Sequence, residues 1–208
     1  MFSFIVKGGP VMIPIIIGSI FGLAIVLERL WVFRQMRLNT FEFVQGVFKD
    51  IKANKLKDAI ELCNKYIPHP LAVVFKIGIE RRDLPSERLE KILEQAGNNQ
   101  IQKLEKFLGG LVSIISIEPL LGFLGTITGL IRAFMSWEQA GANVTVSTLA
   151  AGIYEAMITT AAGLSIAIPL YLCYNYFVSR IKVASNDLTN HCIQLLEVIT
   201  QEREGARI

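Results

Sequence analysis

Three long stretches of this chain are nearly free of charge, and that constrains its fold more than any other feature. Val11 to Leu27 carries no charged residue, and the apolar run continues through Leu30, Trp31, Val32 and Phe33. A second stretch, Phe107 to Trp137, is broken only by Glu118 and Arg132, and a third, Leu149 to Val178, only by Glu155. A helix of about 20 apolar residues crosses the ~30 Å hydrocarbon layer of a bilayer. Three transmembrane helices are therefore expected, the first over about Pro10 to Phe33. Pro14 falls in its first turns, where a missing backbone donor costs least. The apolar run is longer than the core of a signal peptide, and Glu28-Arg29-Leu30-Trp31 is not a small-residue cleavage site, so the segment reads as a retained span. Trp31 and Trp137 stand at span ends, where interfacial anchors belong.

The rest of the 208 residues is wet. Hydrophobic residues make up 52% and charged residues 19%, a mixture that suits spans joined to a substantial aqueous part. A net charge of +3 with no basic stripe among aromatics gives no reason to expect nucleic acid. Cys63, Cys173 and Cys192 are far apart and odd in number, which argues against a disulfide framework or a zinc site, and no cofactor or metal is expected. His69 and His191 each stand alone and read as surface or packing residues.

Lysine and arginine placement orients the spans. No Lys or Arg lies between Arg132 and Arg180, so the short connection of residues 138–148 is expected outside. Arg34 and Arg37 follow the first span, the stretch up to Lys106 is rich in Lys and Arg, Arg180 and Lys182 follow the third span, and only Lys7 precedes the first. The expected order is a first span in residues 1–34, a cytoplasmic helical domain in 35–106, spans in 107–137 and 149–179, and a cytoplasmic C-terminal helix in 180–208. The N-terminus is then outside and the C-terminus inside.

The fold class is an all-α membrane protein with three transmembrane helices, two of them extended into a cytoplasmic helical bundle. Phe41, Val44, Val47, Phe48 and Ile51 recur at helical spacing, as do Leu56, Ala59, Ile60 and Cys63, and then Leu71, Val74, Phe75 and Gly78. Tyr66 to Pro70 reads as a turn, and Ser86 as the N-cap of a helix starting at Glu87. That helix carries Leu89, Leu93, Ala96, Gln100, Leu104 and Phe107 near one face, and meets no strong breaker before Gly109-Gly110. The third span likewise continues past Arg180 with Ile181, Ala184, Leu188, Leu195 and Ile199. Gln201 to Ile208 reads as a frayed end.

An ionisable residue inside a span costs about 2.5–3.5 kcal/mol on insertion scales, which makes each one informative. Glu155, near the outer end of the third span, has two readings: an interfacial carboxylate reaching for water, or one facing a wet cavity within an assembly. Thr159 one turn further in and Thr160 beside it favour the second. Gly122, Gly125, Thr126 and Gly129 put small residues at helical spacing, with a GxxxG at Gly125 and Gly129 that lets helices approach closely. Packing alone explains that motif, and Thr126 alone can bond to its own backbone. Gly152, Ala156, Ala161, Ala162, Gly163 and Ala167 extend the small-residue pattern into the third span, and a homo-oligomer is expected. Arg132 near the outer end of the second span reads as a side chain snorkelling to headgroups.

Two segments carry a family resemblance. Glu118-Pro-Leu-Leu-Gly-Phe-Leu-Gly-Thr126-Ile-Thr-Gly-Leu130 resembles the second-span pattern of the MotA/TolQ/ExbB proton channel family, and Gly152-Ile-Tyr-Glu155-Ala-Met-Ile-Thr-Thr160-Ala-Ala-Gly-Leu-Ser-Ile-Ala-Ile-Pro169 its third-span pattern. Tyr174-Asn175, Glu28-Arg-Leu-Trp31 and Gly78-Ile-Glu-Arg-Arg-Asp83 are similar too, so the resemblance covers essentially the whole chain. It is most like ExbB, then TolQ, then MotA. The resemblance implies a stator subunit of a motor in the bacterial inner membrane that uses the proton motive force to energise transport or envelope processes. It implies a pentamer around an ExbD- or TolR-like single-span partner with an intramembrane Asp, a TonB-like protein further along, and pore-lining roles for Thr126, Glu155 and Thr160. Thr159 and Glu118 are further pore or mouth candidates. The position of Glu118 is small and neutral in the relatives, and its plainest reading is an interfacial carboxylate. The chain also shows no long extracytoplasmic extension before the first span, as some relatives have. Against the motor stands a structural membrane scaffold with no ion flux. An intramembrane enzyme finds no support, since GxSxG, HExxH and paired-Asp motifs are missing from the spans.

Overall fold

The computed structural model of the protein describes residues 8–36, 38–140 and 146–205. Lys7, Arg37, the middle of the 138–148 connection and residues 206–208 lie outside the described residues, and with them part of the charge placement used to orient the spans. Seven helices are described: α1 (Met12–Gln35), α2 (Thr40–Lys52), α3 (Leu56–Lys65), α4 (Pro70–Glu80), α5 (Ser86–Glu105), α6 (Leu108–Ala140) and α7 (Val146–Gly205). No strand occurs among the described residues. Three stretches are long and apolar enough to cross a membrane: Met12–Gln35, Ser86–Gln139 and Ala150–Arg203. The chain groups into two compact units, one of residues up to Glu28 with Phe107–Tyr176, the other of Arg29–Lys106 with Phe177–Ile208.

The first unit is the span unit, and its large side chains point outward. Ile13, Phe21, Leu120, Phe123, Phe134, Met157 and Tyr171 are all more than half exposed, as lipid-facing residues are when no lipid is present. Trp31 and Trp137 are exposed as well. What the spans bury is a mixture: Ile15, Leu111 and Leu170 on the one hand, and the small Ala133, Ala156, Ala167 and Thr159 on the other.

The second unit is a bundle with an ordinary core. Phe43, Val44, Val47, Ile51, Ala59, Cys63, Leu71, Val74, Phe75, Leu89, Leu93, Leu188 and Leu195 form one buried cluster. The helical spacing predicted for α3, α4, α5 and α7 appears there almost residue for residue. The α2 stripe differs: Phe41 is 74% exposed, and Phe43 is buried in its place. Phe43 packs edge-on against Tyr66 and tilted against Phe75, a pocket that Phe41, two residues round the helix, cannot reach. Gly78 lets α4 come close, since a Cβ there would stand 2.8 Å from Leu195 Cδ2 and 3.0 Å from Leu93 Cδ2. Burial pushes the Cys63 thiol up to about 12 and the Cys192 thiol up to about 11, so both behave as apolar fillers.

Three local expectations are corrected. Helix α5 begins at Ser86 itself, with Pro85 in the cap position, because the Pro85 carbonyl accepts from the Arg88 and Leu89 amides and no side-chain cap forms. It ends at Glu105, before the glycines: Phe107 takes φ = 66°, a left-handed conformation uncommon for a non-glycine residue. The buried Arg29 donates from Nη1 to the carbonyls of Lys103 and Leu104, both at 3.1 Å, and so satisfies acceptors that a helix end leaves open. The link between α5 and the second span is therefore a two-residue break rather than one continuous rod. By contrast α7 runs unbroken for 60 residues from span to bundle. Its end does not fray at Gln201, since Arg203 Nη1 donates to the Leu84 carbonyl at 2.5 Å and ties the last turn down.

Candidate functional site: a hydroxyl pair in the seam of two spans

The seam between α6 and α7 exists because glycine occurs where the two backbones meet. A Cβ on Gly122 would lie 3.0 Å from the Thr160 Cα and 3.0 Å from the Thr159 carbonyl oxygen. One on Gly129 would meet the Gly152 carbonyl at 3.0 Å, and one on Gly152 the Ala133 Cβ at 2.6 Å. Gly163 sits directly against the Glu118 carbonyl. In lipid the hydrophobic effect does not draw helices together, so close backbone approach and interhelical hydrogen bonds do that work.

The seam holds Thr126 and Thr160 side by side. Their hydroxyls are in direct hydrogen-bond contact. The Thr160 hydroxyl also donates to the Gly122 carbonyl at 3.0 Å, and the Thr126 hydroxyl reaches the Gly122 and Ala156 carbonyls at 3.3 Å each. Each hydroxyl has one proton to give and two lone pairs to receive. With two protons shared among the Gly122 and Ala156 carbonyls and each other, the pair retains capacity to accept from an outside donor. Both residues are only partly buried, so that capacity is reachable. Thr126 thus bonds both to its own helix and across the seam.

Glu155 and Arg132 form the charged end of the seam. The guanidinium donates from Nη1 to the Glu155 carboxylate at 2.6 Å. Arg132 is six residues beyond Thr126 and Glu155 five residues before Thr160, about 9 and 7.5 Å of helix in the same direction because the helices are antiparallel. Gly9, at φ = 66°, lies against the same carboxylate where any side chain would collide. Arg132, expected to reach for headgroups alone, instead holds a partner across the seam.

The two remaining candidates lie elsewhere. Thr159 is fully buried, its hydroxyl donating to the Ala156 carbonyl at 2.8 Å, with its side chain against Gly125. Glu118 is 1% exposed and packs against Gly18 of α1. It stands ten residues, about 15 Å, into α6 and is closed off by its neighbours rather than open at a surface. Neither side chain is on the half-open face that carries Thr126 and Thr160. Arg132 as the partner of Glu155, and Arg29 as the cap of α5, were not legible in the sequence. The one available signal was that each is a lone cation beside an apolar run.

Residues 67–190 match the model of the MotA/TolQ/ExbB proton channel family. The biopolymer transport protein ExbB-like 1 of Synechocystis sp. is 31% identical over 175 residues, covering 83% of this chain and 68% of that protein. ExbB-like 3 of the same organism is 31% identical over 173 residues, covering 83% and 82%. The Tol-Pal system protein TolQ of Haemophilus influenzae is 31% identical over 115 residues, 55% of this chain and 50% of its own. A chain with three apolar spans, matched over residues 67–190 across both signature spans and the two helices before them, belongs to the MotA/TolQ/ExbB proton channel family.

Proposed function

We propose that the chain is the stator subunit of an inner-membrane motor, most like ExbB, and that a proton passes along the α6–α7 seam. The observation that supports this best is the Thr126–Thr160 hydroxyl pair, held half-open between two spans with the Glu155–Arg132 pair beyond it. The hydroxyls can accept from a neutral carboxyl and donate to a charged one, which is what a moving intramembrane Asp on a single-span partner of the ExbD or TolR kind requires. Glu155 and Arg132 supply a polar entry at the outer end, where Gly9 leaves the carboxylate room. One charge crossing 100 mV yields about 2.3 kcal/mol, enough to bias one helix ring against another. The pentamer, the TonB-like protein further along, and a cytoplasmic bundle with the N-terminus outside belong to the same reading; the last rests on the absence of Lys and Arg between Arg132 and Arg180.

A scaffold without flux is the second reading, favoured by one fact: the hydroxyls and Glu155 all find partners inside the chain. Proton uptake into liposomes holding this protein with its single-span partner separates the two. Under the motor reading, uptake requires the partner and is lost in Glu155→Ala and Thr160→Ala. Undiminished uptake in both variants, in complexes shown to be intact, would remove the seam from the path. No uptake from the intact wild-type complex, with the partner engaged downstream, would favour the scaffold.

A further inference from the structure

A carboxyl group outside the hydroxyl seam is the feature least explained by it. Glu118 is the only charged residue between Leu108 and Ile131, it is 1% exposed, and its Oε2 has no hydrogen-bond partner among the described residues. It faces α1 rather than the seam. Its Oε1 occupies the space where a Cβ on Gly18 would be, and the Ile114 side chain lies beside it. The elements packed around it bring no counter-charge. In α1 no charged residue occurs from Met12 to Leu27, and in α7 none from Ala156 to Ser179. Glu155, the nearest charge on α7, is eight residues or about 12 Å of helix from Gly163, and it is already paired with Arg132. The hydroxyl of Ser19, next to Gly18 in sequence, donates to its own helix, to the Ile16 carbonyl at 2.7 Å.

An ionised carboxylate left in such a place, without a partner, is disfavoured by desolvation, whereas a neutral acid needs only one acceptor for its proton. The sequence provides that acceptor. Pro119 has no backbone N–H, so the carbonyl of Ile115 four residues earlier has no helical donor. Ile115 stands three residues, one helical turn, before Glu118 on the same helix.

We propose that Glu118 is a proton-binding site inside each protomer, between spans one and two, separate from the Thr126–Thr160 seam. Its ligand is a proton taken from water and held on the carboxyl, with Gly18 providing the room and the carbonyl freed by Pro119 receiving the hydrogen bond. A bare monovalent cation fits the place less well, because it needs a shell of several oxygens and Glu118 provides one carboxylate facing a glycine. The site does not depend on ion flux, and its test does not use flux.

The test uses the purified full-length protein in liposomes at neutral pH. Infrared difference spectra between wild type and Glu118→Gln should show the loss of a protonated-carboxyl band, with no carboxylate band lost. Dicyclohexylcarbodiimide, which reacts with protonated carboxyls in apolar surroundings, should label Glu118 by mass spectrometry and leave Glu155 unlabelled. Gly18→Ala, which fills the space of Oε1, should abolish that label while Glu118→Gln, similar in shape and neutral, stays folded. Loss of a carboxylate band instead, or an unlabelled Glu118, would overturn the proposal. Protection from labelling by sodium but not potassium would overturn it as well, by making the ligand a metal cation.

Discussion

The two units of this chain are both built from helices, but by different rules. In the bundle, Phe75, Phe177, Leu89 and Leu195 are the largest fully buried residues, and charges decorate the outside. In the span unit, most large residues face outward, a few such as Ile15 and Leu111 are buried, and alanine, glycine, threonine and one glutamate line the α6–α7 contact and its surroundings. The difference follows from the solvent. Water drives large apolar groups together at roughly 25 cal/mol per Å². Lipid offers no such drive, so the spans gain most where backbones come close enough for dispersion and hydrogen bonding. Function is placed accordingly: hydroxyls and carboxyls can be kept in the span interior because small residues leave room for them.

That contrast can be broken or sharpened by substitution. The largest effect on stability is expected from Phe75→Ala, where a fully buried ring leaves a cavity in the bundle core; a loss of about 3–5 kcal/mol should appear in thermal unfolding of the detergent-solubilised protein. Next comes Gly122→Val, which forces a side chain against the Thr160 backbone. A cost of about 1–3 kcal/mol is expected, together with loosened contact between spans in cysteine crosslinking across the seam. Thr160→Val is the sharper probe. Removing one interhelical hydroxyl should cost only about 0.6 kcal/mol, yet proton uptake should disappear, separating the polar role of the seam from its packing role. A comparable loss of stability and of flux would mean the hydroxyl serves packing alone.

A smaller effect should be visible only in the bundle. His69 caps α4 by accepting from the Leu71 amide at 3.3 Å, and burial holds its imidazole down at about 4 against an ordinary 6.5, with Asp187 opposing. The unfolded chain therefore takes up a proton first as acid is added, so bundle stability is full above pH 6.5 and falls as pH drops toward about 4. His69→Asn keeps a capping side chain and should flatten that slope. A slope that persists in the variant would assign it to another group. The smallest expected signal is chemical: the Cys63 thiol, pushed up to about 12, should resist maleimide in the folded protein and react only after unfolding.

Much of this architecture was legible because it depends on periodicity and charge. The unbroken α7 stripe from Phe177 through Leu188 to Ile199 shows in the spacing of apolar residues, and the spans show in the absence of charge. The small residues of the seam were visible as well, although spacing alone could not tell which of them touch. The break at Lys106–Phe107 was hidden, because a phenylalanine at positive φ has no compositional mark and its stabiliser, Arg29, is 74 residues away in sequence. The same distance problem concealed the Arg203 tie to Leu84 and the exchange of Phe41 for Phe43.

By itself, then, the sequence determined that this protein has three apolar spans, a helical bundle and a family pattern in the second and third spans. Each of these is a local property, written in runs and spacings that water or lipid reads one helix at a time. Only the tertiary structure decided that Thr126 meets Thr160, that Arg132 closes on Glu155, and that Glu118 turns toward Gly18 with no counter-charge. Those outcomes depend on which faces of separate helices come within a few ångströms. Hydrogen bonds and desolvation costs act over that range and are blind to distance along the chain.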